Sequence, residues 1–110
     1  MNYKELDTPA LIIDREKMID NLHFMQDYAD RQGVVLRPHT KTHKMPAIAK
    51  LQEQLGAKGI TVAKVGEAEV MAQNGLQDIF IANEIVGKQK LERIRALVRS
   101  GITISFAVDT

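Results

Sequence analysis

The first apolar stripe along the chain has helical spacing. Met18, Leu22, Met25 and Ala29 recur every three or four residues, with polar residues between them. Asp14 is placed to cap the start of such a helix, and a glycine at position 33 suits its end. The pattern therefore predicts a helix between residues 14 and 33. A short apolar run at residues 10–13 predicts a strand before it.

The remainder of the chain alternates short apolar runs with amphipathic stretches. Strands are predicted at residues 34–41, 60–63, 79–82 and 102–108. Helices are predicted from Pro46 to Gly56, over residues 67–74, and around Leu91, Ile94 and Leu97. Strands this apolar are typical of a parallel sheet that is buried on both faces and covered by helices. The fold class is therefore α/β, built from parallel βα units.

Two architectures fit this alternation: an open doubly wound sheet and a (β/α)8 barrel. A barrel needs about 250 residues, so 110 residues supply roughly its first half. The chain ends just after a predicted strand, whereas an open sheet would more naturally finish with a helix. Because half a barrel exposes strand edges, we expect this chain to assemble with another copy or to belong to a longer polypeptide.

Composition and charge exclude several classes of partner and of chemical site for this chain. The net charge is +1, which gives no support for nucleic-acid binding. The chain has no cysteine, which excludes disulfides and thiolate metal sites. The N-terminal segment is charged where a signal peptide is apolar, and no apolar run approaches the roughly 20 residues that span a bilayer. These features predict a cytoplasmic protein without nucleic-acid or membrane partners.

A dense basic run follows the predicted strand that begins at Val34: Arg37-Pro38-His39-Thr40-Lys41-Thr42-His43-Lys44. A lysine at the end of a buried strand is a candidate nucleophile, because partial desolvation favours its neutral amine. Both Lys41 and Lys44 are candidates. In a regular strand Arg37, His39 and Lys41 share one face, and a cationic cluster there would further favour the neutral amine of Lys41. His39 and His43 have zinc-type spacing, but that spacing joins two imidazoles only on a helix, and Pro38 favours a strand and turn.

Five segments, in order, resemble the pyridoxal-phosphate enzymes of the alanine racemase fold type, in the branch of D-threonine aldolase and D-serine dehydratase. They are Asp-Thr-Pro-Ala-Leu from residue 7, Leu-Arg-Pro-His-Thr-Lys-Thr-His-Lys from residue 36, Leu-Gly-Ala-Lys-Gly-Ile from residue 55, Val-Gly-Glu-Ala-Glu from residue 65, and Asp-Ile-Phe-Ile-Ala-Asn-Glu-Ile-Val-Gly from residue 78. Together they extend over nearly the whole chain.

The resemblance implies that Lys41 forms a Schiff base with pyridoxal 5'-phosphate and then acts as an acid and base at the substrate α-carbon. It also implies cofactor contacts from His39, Arg37 and Asn83. The implied activity is that of a lyase acting on D-amino acids, in a homodimer. A racemase of the same fold and a protein that binds the cofactor without turnover remain alternatives.

The resemblance also divides the chain. Residues 1–33 would form a leading strand and helix, with the strand joining a C-terminal β-domain, and residues 34–110 would form barrel strands one to four. The phosphate-binding loops and any ligands for a divalent metal would belong to later parts of a full-length protein. The 110-residue portion alone would then be inactive.

Simpler interpretations stay open for several of these residues. Lys44, further into the loop, suits a solvated lysine as well as a Schiff base. Arg37 would pair with a carboxylate such as Glu67 if it does not contact the cofactor. Glu67 also suits the start of a helix for reasons of the helix dipole, and Asn83 suits an ordinary turn.

Overall fold

The computed structural model describes residues 2–109. Met1 and Thr110, the ends of the predicted 1–110 domain, lie outside this range. Within this range four helices and three strands follow one another as α1 (Arg15–Arg31), α2 (Pro46–Gln54), β1 (Ile60–Val62), α3 (Val65–Gln73), β2 (Asp78–Glu84), α4 (Lys88–Arg99) and β3 (Thr103–Ala107). Short 3-10 turns occupy Tyr3–Glu5 and Thr40–Thr42. The strands form one parallel sheet in the order β1-β2-β3, which confirms the predicted parallel βα units.

The sheet register divides the strand side chains between two faces. On one face, Ile60 pairs with Ile79, and Ile79 pairs with Ile104. Val62 and Ile81 form the next pair on the same face. These residues pack against apolar side chains of three helices: Ala49 of α2, Val65, Ala68 and Met71 of α3, and Ile94 of α4. The hydrophobic core therefore lies between the sheet and the layer formed by α2, α3 and α4.

The opposite face, which we call the open face, carries Thr61, Phe80 and Ser105 in one row. Thr61 is buried, Phe80 is half-buried and Ser105 is exposed. The prediction of strands buried on both faces thus holds for β1 alone. Within residues 2–109 the helices that build the core all pack on the other face, so the side chains of β2 and β3 on this face keep access to solvent.

The strand predicted over residues 34–41 is wrong. The segment forms a single parallel bridge, between His39 and Thr61, and then turns into Thr40–Thr42. Two reasons are visible. First, Pro38 has no N–H to donate to a ladder. Second, the Leu36 carbonyl accepts from the Lys58 N–H, and the Pro38 carbonyl accepts from the Thr61 N–H. An advance of two residues on one side is therefore paired with an advance of three residues on the other. The extra residue on the β1 side makes a bulge.

The strand predicted over residues 10–13 is also wrong. No strand forms there among the described residues, and Leu11 is 98% exposed. The helix boundaries were predicted more closely. Asp14 accepts a hydrogen bond from the Lys17 N–H and caps α1, although Met25, expected on its apolar face, is largely exposed.

The remaining helices and strands begin and end within a few residues of their predicted limits, α3 starting earlier than predicted, at Val65. None of the helices found between residues 2 and 109 is both long and apolar enough to cross a bilayer.

Arg37 ties the irregular segment to the sheet. Its guanidinium donates to the carboxylate of Asp78 at 2.8 Å and lies 3.4 Å from the carbonyl oxygens of Ile60 and Asp78. Ile60 and Asp78 are the first residues of β1 and β2. The guanidinium reaches these strand ends because Gly59 has no side chain. A Cβ at residue 59 would stand 2.7 Å from Arg37 Nη1 and 2.5 Å from the backbone carbonyl oxygen of Asp78. Gly59 and Arg37 therefore act together to lock the segment at the amino ends of two strands.

A second carboxyl group lies near this lock. Partial burial, and then repulsion from the Asp78 carboxylate, raise the pKa of Glu53 above its ordinary 4.5. The folded protein therefore binds this proton more tightly than the unfolded chain does. Its contribution to stability is full below pH 4.5 and is lost as pH rises through the raised value.

Gly59→Ala tests the lock at the amino ends of the strands. The new methyl group would overlap the Asp78 carbonyl and the Arg37 guanidinium, and overpacking of this kind destabilises by about 1–3 kcal/mol. We expect a clear fall in the urea midpoint of unfolding of the intact protein. Gly66→Ala is the matched control, because its Cβ would meet only Arg93 Nη2, at an ordinary 3.6 Å. Equal midpoints for the two variants would contradict the assigned contact.

Glu53→Gln tests the electrostatics of the same region. The amide cannot ionise, so at pH 7 we expect the variant to unfold at a slightly higher temperature than the parent. Because Glu53 is only half-buried, the gain should stay below about 1 kcal/mol. The difference should disappear near pH 4, where the parent carboxyl is also neutral. The exposed Glu92→Gln change in α4 controls for the loss of one negative charge. A gain that is the same at both pH values would argue against this explanation.

Candidate active site

Lys41 occupies the middle of the 3-10 turn Thr40–Thr42, directly after the bridge between His39 and Thr61. The Thr40 hydroxyl, on a residue only 1% exposed, donates to the Thr61 carbonyl of β1 at 3.2 Å. The Lys44 N–H closes the turn on the Thr40 carbonyl at 2.7 Å. Lys41 itself is exposed. The backbone beside this lysine is thus fixed to Thr61, the middle residue of β1, while its side chain is exposed.

His39 stands immediately before this turn and caps it. Its Nδ1 accepts a hydrogen bond from the Lys41 N–H at 3.3 Å, which requires that Nδ1 carry no proton. Partial burial lowers the pKa of His39 below 6.5, the positive charge of Lys41 lowers it further, and the Glu67 carboxylate opposes both. The neutral imidazole that the cap needs is therefore the form favoured at physiological pH.

Glu67, in the first turn of α3, joins the end of β1 to the loop that carries the two lysines. Its Oε2 accepts the Ala63 N–H at 2.7 Å, and its Oε1 lies 3.8 Å from Lys44 Nζ. The Glu67 side chain is 12% exposed and that of Lys44 is 64% exposed. Lys44 has a left-handed backbone, with φ of 53°, which is unusual for a residue other than glycine. Glu67 therefore pairs with Lys44, and not with Arg37 as one interpretation of the sequence expected.

Asn83 reaches the same point from β2. Its side-chain amide lies 3.4 Å from the Ala63 carbonyl, so Asn83 and Glu67 contact the two polar groups of one residue. The pairing of β2 with β3 shifts between Ile81 and Glu84, which places Asn83 in an irregular part of the strand. Such irregularities often lie beside functional sites, where they redirect a side chain.

Arg37 lies at the other end of the strands from this group. Its guanidinium is held at the amino ends of β1 and β2 by Asp78. The predicted cationic cluster of Arg37, His39 and Lys41 is therefore not formed: only His39 and Lys41 are close enough for one charge to affect the other. The cluster was expected from a regular strand, and the bulge and the Asp78 carboxylate separate its members.

His43 supports the loop after the turn. Its Nδ1 accepts the Met45 N–H at 2.9 Å, and its Nε2 lies 3.2 Å from the Gln52 side-chain oxygen of α2. This ring therefore connects the loop to α2. Neither His39 nor His43 belongs to a cluster of three or more histidine, cysteine or carboxylate side chains anywhere in residues 2–109.

The structure thus brings together Lys41, His39, Glu67, Lys44 and Asn83 near the carboxyl ends of β1 and β2. The sequence missed the buried Thr40 hydroxyl and the Lys44–Glu67 pair. A threonine between two polar residues carries no signal of burial, and the pair depends on the left-handed backbone at Lys44. An accessible amine on a fixed backbone, beside a neutral imidazole and at the end of parallel strands, is suited to hold a carbonyl compound covalently.

Comparison with known proteins places these features in a family. The chain is 48% identical over 104 residues to the D-threonine aldolase of an Arthrobacter species, covering 94% of this chain and 27% of that enzyme. It is 38% identical over 110 residues to the 3-hydroxy-D-aspartate aldolase of Paracoccus denitrificans, covering 99% of this chain and 28% of that enzyme. The chain therefore spans little more than a quarter of the length of these relatives.

Solved structures agree in fold. The D-threonine aldolase of Filomicrobium marinum superposes with a TM-score of 0.95 at 44% identity, over 98% of this chain and 29% of that one. The D-threo-3-hydroxyaspartate dehydratase of Delftia sp. HT23 superposes with a TM-score of 0.90 at 40% identity, over 96% of this chain and 28% of that one. The family model described as the alanine racemase, N-terminal domain, matches residues 13–107. With the predicted fold class thereby confirmed, this chain belongs to the alanine racemase N-terminal domain family.

Proposed function

We propose that the intact protein is a pyridoxal-phosphate-dependent lyase and that Lys41 holds the cofactor covalently. The observation that carries this proposal is the fixed 3-10 turn, which presents an exposed amine beside a neutral His39. These residues fit an aldehyde cofactor: the neutral amine is the nucleophile, and the turn beneath it is anchored at Thr40. Family membership and the activities in the names of the relatives support it.

When bound, pyridoxal phosphate supplies an electron sink for the bonds at the substrate α-carbon. The chain's own residues supply position and proton transfer. Neutral His39 accepts a hydrogen bond from the Lys41 backbone N–H. This hydrogen bond holds the backbone of Lys41 in one conformation, and so limits the positions that its side chain can take. With the substrate bound, Lys41 Nζ would carry a proton to or from the reacting carbon. Asn83 offers a side-chain amide at the edge of the same site.

We propose D-3-hydroxy amino acids as the substrate class, because the relatives are named for D-threonine and for D-3-hydroxyaspartate. An aldolase would cleave the bond between the α- and β-carbons and release an aldehyde. A dehydratase, such as the D-serine dehydratases that the sequence also resembles, would instead eliminate the β-hydroxyl. One dehydratase relative is described in a metal-free form, and a divalent metal here would be held by residues beyond this chain.

The wider organisation belongs to the same proposal. Residues 1–33 would form the leading segment and residues 34–110 the first part of a barrel in a longer protein, cytoplasmic and homodimeric. The open face of β2 and β3 supports the barrel, because side chains on this face keep access to solvent and are suited to packing against further parts of a longer protein. Arg37 is not included among the proposed cofactor contacts, since its guanidinium is engaged with Asp78 at the far end of the strands.

Product analysis of the intact protein distinguishes the candidate reactions. With D-threonine and a divalent metal, an aldolase yields glycine and acetaldehyde, a dehydratase yields a 2-oxo acid and ammonia, and a racemase yields the L-configured amino acid. We expect the aldehyde or the oxo acid. Inverted substrate alone would favour the racemase, and cofactor binding with no product would favour a protein without turnover.

Borohydride trapping tests the assignment of Lys41. In the parent protein loaded with pyridoxal phosphate, reduction should label one peptide, at Lys41. The Lys41→Ala variant should lose this label and at least about 1000-fold in turnover, since both attachment and proton transfer are removed. Lys44→Ala should keep the label. Peptide mass spectrometry reads the result, and a parent protein labelled elsewhere, or not at all, would exclude this function for Lys41.

The protonation of His39 provides a test that is independent of activity. We expect its pKa, followed by NMR of the imidazole, to lie below 6.5 in the intact protein. Lys41→Met should raise that pKa, because it removes a neighbouring positive charge. The stabilising effect of the cap should be full above pH 6.5 and decline as pH falls through the lowered value. A pKa of His39 above 6.5, or one that Lys41→Met lowers, would contradict the assigned environment.

A further inference from the structure

Two lysines of one loop are candidates for the same aldehyde, and the structure treats them differently. Lys41 lies next to His39, whose backbone pairs with Thr61 of the open-face row. Lys44 follows the turn. It lines a cleft of about 360 Å³ together with Val70 and Met71 of α3, a helix that packs in the core layer. The two lysines therefore have different surroundings, although they are only three positions apart in the sequence.

Glu67 is the charged partner of Lys44 in these surroundings. Its carboxylate is fixed at the end of β1 by the Ala63 N–H at 2.7 Å, and its other oxygen lies 3.8 Å from Lys44 Nζ. With its side chain only 12% exposed, Glu67 has few other positions to take. The left-handed backbone at Lys44 gives a second, independent observation, since a non-glycine residue keeps this conformation only where its surroundings favour it. Lys44 is thus directed toward α3 by its backbone and by its partner.

We infer that Glu67 is a positioning residue that selects which lysine holds the cofactor. It retains the amine of Lys44 in the cleft beside α3 and leaves Lys41 as the amine that meets the aldehyde. The inference rests on the proposed pyridoxal-phosphate function and adds a determinant of specificity within this chain. Lys41 would hold the cofactor through its Nζ: a carbon–nitrogen double bond would replace the carbon–oxygen bond of the aldehyde, and the oxygen would leave as water with the two hydrogens of the neutral amine.

Glu67→Gln separates the two roles of this side chain. The amide oxygen can still accept the Ala63 N–H, so the end of β1 keeps its hydrogen bond, but the charge that retains Lys44 is lost. The experiment loads the intact parent and variant with pyridoxal phosphate at equal pH, reduces them with borohydride, and compares the label on Lys41 and Lys44 by peptide mass spectrometry. Reduction adds hydride to the carbon and a proton to the nitrogen, so either lysine gives a stable secondary amine.

We expect the share of label on Lys44 to rise about two- to fivefold in Glu67→Gln, as loss of a partly exposed ion pair would give. The double variant Glu67→Gln with Lys44→Ala should return all label to Lys41. Glu69→Gln is the matched control: it removes a carboxylate on the same helix whose partner is Arg93 of α4, and it should leave the labelling pattern of the parent unchanged.

The outcomes separate this inference from the function on which it rests. An unlabelled parent protein would defeat the proposed function itself. A parent labelled at Lys41, with the same share on Lys44 in Glu67→Gln, would overturn the selection and leave the function intact. Loss of label from Lys41 without gain at Lys44 would also overturn it, because Glu67 would then only support the fold.

Discussion

The contact between Arg37 and Asp78 is the constraint on which the rest of the site depends. The segment that carries the basic run has one bridge to the sheet, and Pro38 cannot donate to a ladder. A charged group that reaches two backbone carbonyls and a carboxylate compensates for the missing pairing. It can do so only because Gly59 leaves the space empty. The position of Lys41, four residues further on, follows from where this lock holds the segment.

The two ends of the strands have different tasks as a result. At the amino ends, the ion pair of Arg37 with Asp78 holds the segment against the sheet, and the Asp78 carboxylate repels that of Glu53. At the carboxyl ends, contacts to Thr61 and Ala63 fix the backbone around Lys41 while its amine stays exposed. This division agrees with parallel α/β architecture, in which chemistry is placed at the carboxyl ends of strands. The inferred difference between Lys41 and Lys44 depends on the same fixed backbone, because a mobile turn would let either amine approach a ligand.

Much of the fold could be predicted because it depends on local pattern. The cap at Asp14, the helical stripes and the apolar strands are each signalled by neighbouring residues, and they formed within a few residues of their expected limits. The errors have a common cause. Residues 10–13 and 34–41 are apolar enough to be strands, yet a strand is defined by its partner, and neither segment has a full ladder among the described residues. Burial on both faces failed for β2 and β3 because, within residues 2–109, the helices that build the core all pack on the other face of the sheet.

The parallel βα order could be predicted from periodicity, and the basic run carries the family resemblance, which implies Lys41 as the candidate anchor. The partners of the charged groups are visible in the three-dimensional structure and not in the sequence. The structure assigned Arg37 to Asp78 rather than to Glu67, gave Glu67 to Lys44, and buried the Thr40 hydroxyl against β1. Those contacts join residues up to 41 positions apart through a bulge and a left-handed turn. Spacing along the chain cannot specify such contacts, because a one-residue shift in pairing redirects every side chain beyond it.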